Sequence, residues 1–127
     1  GSTVAPSLEA AERLSENGVK CTVINARFAK PLDSSLILEA AGRTGRMVTI
    51  EEGSLWGGFG NSVLALLEDS SQHAVRTTRI GLPDEFIEHG QRPLLQKKYR
   101  IDAEGIAERV LQSFPDFAHH PLMEAKR

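Results

Sequence analysis

The chain is poor in cysteine, in aromatic residues, in long apolar runs and in any excess of charge. Its single cysteine, Cys21, excludes an internal disulfide and any CxxC metal or redox motif. Such sparing use of cysteine fits an intracellular, reducing compartment. The net charge is only −2, so no basic excess points to a nucleic-acid partner. No apolar run approaches the roughly 20 residues of a membrane-spanning helix, and no membrane partner is expected. Internal repeats and low-complexity tracts are absent, and so is a recognisable signal or transit peptide. What remains is the composition of an ordinary globular protein, 40% apolar and 25% charged. At 127 residues the chain is long enough to bury a core as a single domain.

Residues 47–67 organise the rest. An apolar run from Met47 to Ile50 leads into two carboxylates, Glu51 and Glu52. A turn containing Gly53, Gly57, Gly58 and Gly60 around Trp56 and Phe59 follows. An apolar-periodic helix is expected next, capped by Asn61 or Ser62, with Val63, Leu64, Leu66 and Leu67 on its buried face. Strand, glycine loop and helix in that order build sites at the carboxyl ends of parallel strands. Gly57-Gly58-Phe59-Gly60 has neither GxGxxG nor Walker spacing, and no Lys-Ser/Thr follows it. Helix-start amides can still hold an anion. The competing account is close backbone approach, with Trp56 and Phe59 packing on a neighbouring domain. Adjacent residues of a strand point to opposite faces, so Glu51 and Glu52 do not form an acid/base dyad.

Upstream, Pro6 and Asn17-Gly18 bracket a helix whose Leu8, Ala11 and Leu14 should cover a sheet. Residues 19–26 carry Val19, Thr22, Val23 and Ile24, which predicts a parallel strand buried on both faces, with Cys21 as a small core residue. Asp33 is the N-cap of a helix over residues 34–41 whose stripe is Leu36, Ile37, Ala40 and Ala41, with Leu32 stapled onto Ile37. Gly42 or Gly45 ends it. Arg27 and Lys30 stand past the expected strand, where they hold an anion or pair with Glu51 or Asp84. Downstream, residues 46–52 and 75–80 read as further strands, and Arg76 and Arg79 suggest an edge. Pro83 and Asp84 should open a short helical turn anchored by Phe86 and Ile87 and released by Gly90. His89 reads as structural. Residues 92–99 form a short helix or turn beside a basic, solvated cluster of Lys97, Lys98 and Arg100. Asp102 caps a last helix lined by Ile106, Ala107, Val110, Leu111 and Phe114. Pro115 ends it, a mobile tail follows over residues 115–127, and His119-His120 lacks a third metal ligand.

Three blocks stand in a fixed order. They are Arg27-Phe28-Ala29-Lys30-Pro31-Leu32-Asp33; Val48-Thr49-Ile50-Glu51-Glu52-Gly53 with Gly57-Gly58-Phe59-Gly60; and Gly81-Leu82-Pro83-Asp84. In order and spacing they resemble the C-terminal domain of the transketolase family of thiamine diphosphate enzymes. The first two blocks are also shared with the β subunits of 2-oxo-acid dehydrogenases. The third, extended by Phe86-Ile87-Glu88-His89-Gly90, resembles the 1-deoxy-D-xylulose-5-phosphate synthases of that family, as does Asp102-Ala103-Glu104-Gly105-Ile106. Arg100 stands where those synthases usually have glycine, and the residues after Phe114 have no counterpart.

The resemblance implies an α/β fold: a three-layer, Rossmann-like domain over residues 1–114, with a mostly parallel sheet flanked by helices. In the family a strand precedes the segment that Gly1-Ser2-Thr3 resembles, so the domain is expected to lack its first strand here. The implied parent reaction decarboxylates pyruvate and transfers the two-carbon unit to glyceraldehyde 3-phosphate, feeding isoprenoid, thiamine and pyridoxal synthesis. Family members bind thiamine diphosphate and Mg²⁺ between an N-terminal and a middle domain. The glycine-aspartate-glycine metal motif has no match in this sequence, nor has the glutamate that activates the cofactor. The resemblance therefore assigns this chain no catalytic, cofactor or metal residue, and no cofactor is expected on it. It implies a scaffold partnered by the remaining domains of the same synthase and by a second copy in a homodimer. The implied location is the bacterial cytoplasm, or a plastid for a plant source. The candidate anion or interface loop comprises Arg27, Lys30, Glu51, Glu52, Trp56, Gly57, Gly58, Phe59 and Gly60. The alternative to a scaffold is a regulatory module binding phosphate or a nucleotide there.

Overall fold

The computed structural model describes residues 1–119, in two compact units: one is Asn25–Ile87 with Gly1, the other Ser2–Ile24 with the chain from Glu88 onward. The tail beyond, with His120, Leu122 and Met123, lies outside the described residues, as do the expectations for its mobility and for the His119-His120 pair.

In the first unit the chain runs α2 (Ser34–Thr44), β1 (Arg46–Ser54), α3 (Phe59–Asp69) and β2 (Arg76–Leu82), where α1 (Val4–Glu16) belongs to the other unit. Asp33 caps α2 as its sequence position predicts, its side chain accepting from the Leu36 amide at 3.2 Å. Gly45 ends the helix at φ 64°, a left-handed C-cap whose amide donates to the Ala41 carbonyl at 2.8 Å. The chain then enters β1, which pairs with β2 in parallel, Thr49 opposite Arg79 and Ile50 opposite Ile80. The register shifts between Ile50 and Ser54, after which Ser54 faces Leu82. Helices α2 and α3 pack on β1 and on each other. Their shared core is Ile37, Ala41, Val63 and Leu67, with Leu32, Leu38, Met47, Phe59, Leu66 and Val75 packed around it. Leu32 thus reaches the Ile37 cluster, as a staple requires. Leu36 does not join it: one residue before Ile37, and so about 100° round the helix, it remains exposed.

In the second unit α1 packs against α5 (Ala103–Ser113), burying Ala10 and Leu14 on one side and Ile106 and Val110 on the other. The expected sheet under α1 is replaced, within this unit, by a helix. Asn17 and Gly18 stop α1 through amides donating to Leu14 and Ser15 carbonyls. Asp102 caps α5, accepting from the Gly105 amide at 3.0 Å. Arg100 has φ 56°, the left-handed conformation in which glycine is ordinarily at ease. A Cβ on Gly105 would lie 2.5 Å from the Arg100 Cα, so this turn and helix meet backbone to backbone. Phe114 is followed by a 3₁₀ turn over Pro115–His119, and Phe117 packs edge-on against Phe114 with centroids 5.7 Å apart. The short helix α4 (Arg92–Lys98) has no buried residue.

Two sequence expectations fail here. Residues 19–26 join no ladder, so the chain has two strands among the described residues, not three. A β-branched run has strand propensity only where a neighbour pairs with it. Cys21 is accordingly exposed, not a core residue, although surrounding protein still pushes its thiol pKa up by desolvation. That shift disfavours the reactive thiolate. The segment after β2 forms no helical turn, and Phe86, the supposed anchor, is fully exposed.

The basic cluster near α4 is exposed but not idle. Lys98 and Tyr99 both donate to the Glu88 carboxylate, the tyrosine hydroxyl at 2.7 Å, and Arg100 donates to Glu108. The Lys98 bond first, and Tyr99 second, hold the Glu88 carboxyl down from 4.5 to about 2. A depressed folded-state pKa makes this tie fully present above 4.5 and progressively lost as pH falls toward 2. Carbon-13 NMR titration should show Lys98→Met returning Glu88 toward the ordinary value; an unmoved titration would show that lysine is not the cause. For the two aspartate caps, Asp33→Ala and Asp102→Ala should each cost about 1 kcal/mol in urea unfolding. Unchanged midpoints would mean these side chains do not cap in solution.

Candidate functional site

The corner between β1 and α3 explains itself from Glu51 outward. As β1 ends, Glu51 turns its carboxylate back onto the start of α3. Oε2 accepts from the Phe59 amide at 2.8 Å and Oε1 from the Gly60 amide at 3.0 Å. A helix start has amides without intrahelical partners and a partial positive charge, so a bidentate carboxylate satisfies both needs. Sequence reasoning looked for this cap at Asn61 or Ser62. The helix instead begins at Phe59 with Gly58 in the N-cap position, and Gly58 has no side chain to offer.

The glycines around Glu51 are required for two different reasons. Gly57 sits at φ 72°, a left-handed turn that other residues enter only with strain. Gly58 has an ordinary φ, but a Cβ there would lie 2.3 Å from Glu51 Oε2 and 2.4 Å from the Ser54 carbonyl oxygen. The helix start approaches the strand end too closely to admit any side chain. Gly60 faces the same limit against Thr49 Oγ1, at 2.7 Å, and the Arg79 stem, at 3.0 Å.

Arg79 closes the other side. From β2 its guanidinium donates to the Leu55 carbonyl at 2.6 Å and to the Asn61 side chain. It therefore ties the loop to the first turn of α3, a role that the edge-strand reading missed. Neither Arg79 nor Gly81, whose Cβ would meet the Gly53 carbonyl at 3.0 Å, had a local sequence signal.

The structure brings Glu51, Gly57, Gly58, Phe59 and Gly60 into one corner. It does not bring Arg27, Lys30 or Glu52 into it, and Trp56 points away to solvent. Glu52 takes no part in the cap, although it has a partner elsewhere. Phe59 packs into the unit's own core, not outward, because helix position 1 faces α2. Trp56 alone of the two aromatics is presented to solvent, 72% exposed. Arg27 and Lys30 are exposed, and neither makes an ion pair with a described carboxylate, so the anticipated pairing with Glu51 or Asp84 does not form. Arg27 is itself left-handed at φ 57°, its amide bonded to the Asn25 side chain at 3.3 Å. His89 is exposed. The corner can bind helix to strand; its anion-binding amides are already occupied by the chain's own carboxylate.

Residues 1–106 match the family model described as the transketolase C-terminal domain. The chain belongs to that family. It is 55% identical over 107 residues to 1-deoxy-D-xylulose-5-phosphate synthase 1 of Geobacter sulfurreducens, covering 84% of this chain. It is 51% identical over 111 residues to 1-deoxy-D-xylulose-5-phosphate synthase of a Cyanothece species, covering 87% of this chain. In both cases it spans 17% of the relative's length. Among solved structures it is similar to a split-gene transketolase described as an inactive β4 tetramer. The TM-score is 0.81 at 32% identity, covering 91% of this chain and 37% of the other. This transketolase-type domain is α/β with a parallel sheet flanked by helices, as the family resemblance implied.

Removing one partner of a part-buried, charge-assisted pair leaves two amides unsatisfied, so Glu51→Ala should cost about 1–3 kcal/mol of unfolding free energy. Gly58→Val should destabilise at least as much, because backbone as well as carboxylate must move. Urea denaturation of both variants checks this; native midpoints would show that the corner is loose.

Proposed function

We propose that this chain is the C-terminal domain of a 1-deoxy-D-xylulose-5-phosphate synthase, acting as a scaffold and interface, with the chemistry carried elsewhere in that enzyme. The observation that carries the scaffold reading is the Glu51 carboxylate seated on the Phe59 and Gly60 amides. A phosphate or nucleotide at the glycine loop would have to displace a carboxylate of its own sign. The relatives' shared name and the 55% identity support the choice of enzyme.

The cofactor implied by the family is thiamine diphosphate with Mg²⁺. The described residues contain no group of three His, Cys, Asp or Glu side chains able to hold a metal ion. The α3 start is filled by Glu51. These residues do not fit a magnesium-bound diphosphate, and no step of the decarboxylation or two-carbon transfer is assigned to them. Pyruvate, glyceraldehyde 3-phosphate and the cofactor are handled, on this reading, by the synthase's other domains. Those domains and a second copy in a homodimer are this chain's partners, and the bacterial cytoplasm is its location. No helix among the described residues is long and apolar enough to cross a membrane.

The sheet supports a domain that is completed by a partner segment. Parallel strands are ordinarily buried within larger sheets, and an isolated two-stranded pair is marginal. Among the described residues β1 and β2 pair only with each other, so an extended segment of the same synthase would enlarge the sheet at a free edge.

The test supplies the purified chain with thiamine diphosphate, Mg²⁺, pyruvate and glyceraldehyde 3-phosphate. No deoxyxylulose phosphate should form. A related synthase whose own C-terminal region is replaced by this chain should retain activity. Product from the chain alone would overturn the division of labour. Saturable phosphate or nucleotide binding by calorimetry, weakened by substitution in the glycine loop, would favour the regulatory reading instead.

A further inference from the structure

We propose that the acidic loop Asp84-Glu85-Phe86 of one copy seats in the groove between Arg27 and Leu36 of a second copy. This surface rests on the homodimer reading above and says where two copies meet. The groove has a volume of about 450 Å³ and an apolar floor of Phe28, Pro31, Leu32 and Leu36. Phe28 is 67% exposed and Leu36 41% exposed, and with Pro31 and Leu32 they form one contiguous apolar patch. The carboxylate lining the groove, Asp33, is engaged by the Leu36 amide and the Ser35 hydroxyl. Arg27, which lines the groove, and Lys30, exposed and next in the chain to the lining residue Pro31, have no carboxylate partner among the described residues. The site therefore offers apolar area and a lining cation, Arg27, with Lys30 the chain neighbour of Pro31.

The loop after β2 offers the complement. Asp84 and Glu85 are exposed and make no ion pair with a described residue, and Phe86 stands fully in solvent. Two carboxylates beside one projecting aromatic match two cations beside an apolar groove in both sign and type.

Topology puts groove and loop on one end of the first unit. β1 and β2 run parallel, so Leu82 and the loop that follows it stand at the carboxyl end of the sheet, beside Ser54 and Leu55. α2 runs back from Asp33 to the start of β1, which places its first turn at that same end. Within one copy the loop does not line the groove. Two copies facing each other across a two-fold axis would make the groove-to-loop contact twice, which is how an isologous interface closes.

Sedimentation equilibrium of the full chain at low and high salt tests this. The expected result is a concentration-dependent dimer that weakens with salt, because part of the contact is between exposed charges. Phe86→Ser, and the pair Arg27→Glu with Lys30→Glu, should each raise the dimer Kd by about 10-fold or more, as removal of an interface anchor does. Adding Asp84→Lys and Glu85→Lys to that charge-reversed pair should restore association. All these positions are exposed, and circular dichroism confirms that each variant is folded; the salt response of the unaltered chain stands independently of them. A chain monomeric at every concentration overturns the surface. A dimer indifferent to salt, to Phe86→Ser and to the Arg27→Glu/Lys30→Glu pair also overturns it, while leaving the homodimer reading intact; that reading fails only if the full synthase is itself monomeric.

Discussion

One carboxylate holds the glycine corner together. Glu51 leaves the end of β1 and spans eight or nine residues of chain to satisfy the Phe59 and Gly60 amides. Everything nearby follows from keeping that distance short. Gly58 is bare because any side chain would strike Glu51 or the Ser54 carbonyl. Gly57 takes the left-handed turn that reverses the chain in so little space. Arg79 then fixes the loop from the neighbouring strand, using the Leu55 carbonyl and the Asn61 side chain as its two acceptors. A charge-assisted bond to two amides at once is among the stronger ties available to a part-buried corner.

The same arrangement explains how a stretch with the outline of a phosphate cradle can be structural. Strand, glycine loop and helix supply aligned amides wherever they occur. What differs here is the occupant. With a glutamate from the strand in place, the helix terminus is neutralised internally and the glycines serve contact between backbones. Exposed apolar and charged groups lie outside the corner's hydrogen bonds, in Trp56, Phe28 and Phe86 and in Arg27 and Lys30, which pair with no carboxylate among the described residues. That distribution suits a domain whose outward business is association.

Much of this was legible in local sequence. The Asp33 and Asp102 caps and the Asn17-Gly18 stop depend on residues within a turn of one another, and they form where their spacing places them. So do β1 and β2. The apolar stripes of α2 and α3 form in part, without Leu36 and Leu64. The failures share a cause: each depended on a partner distant along the chain. Residues 19–26 have the composition of a strand, but no neighbour pairs with them. Phe86 had the look of an anchor, yet nothing in its unit covers it. The cap of α3 was sought within the helix's own first residues and came instead from Glu51 in the preceding strand.

The amino-acid sequence by itself determined the family, the aspartate caps and the positions of β1, β2 and the helices α1, α2, α3 and α5. These follow from propensity, capping and motif spacing, which are short-range properties of the chain. Only the tertiary structure decided which glycine serves a turn and which a close approach, that Phe59 faces the core while Trp56 faces solvent, and that Arg79 clasps the corner. Those outcomes rest on through-space distances of about 3 Å, within hydrogen-bonding and van der Waals range, and residues far apart along a chain carry no local mark of meeting.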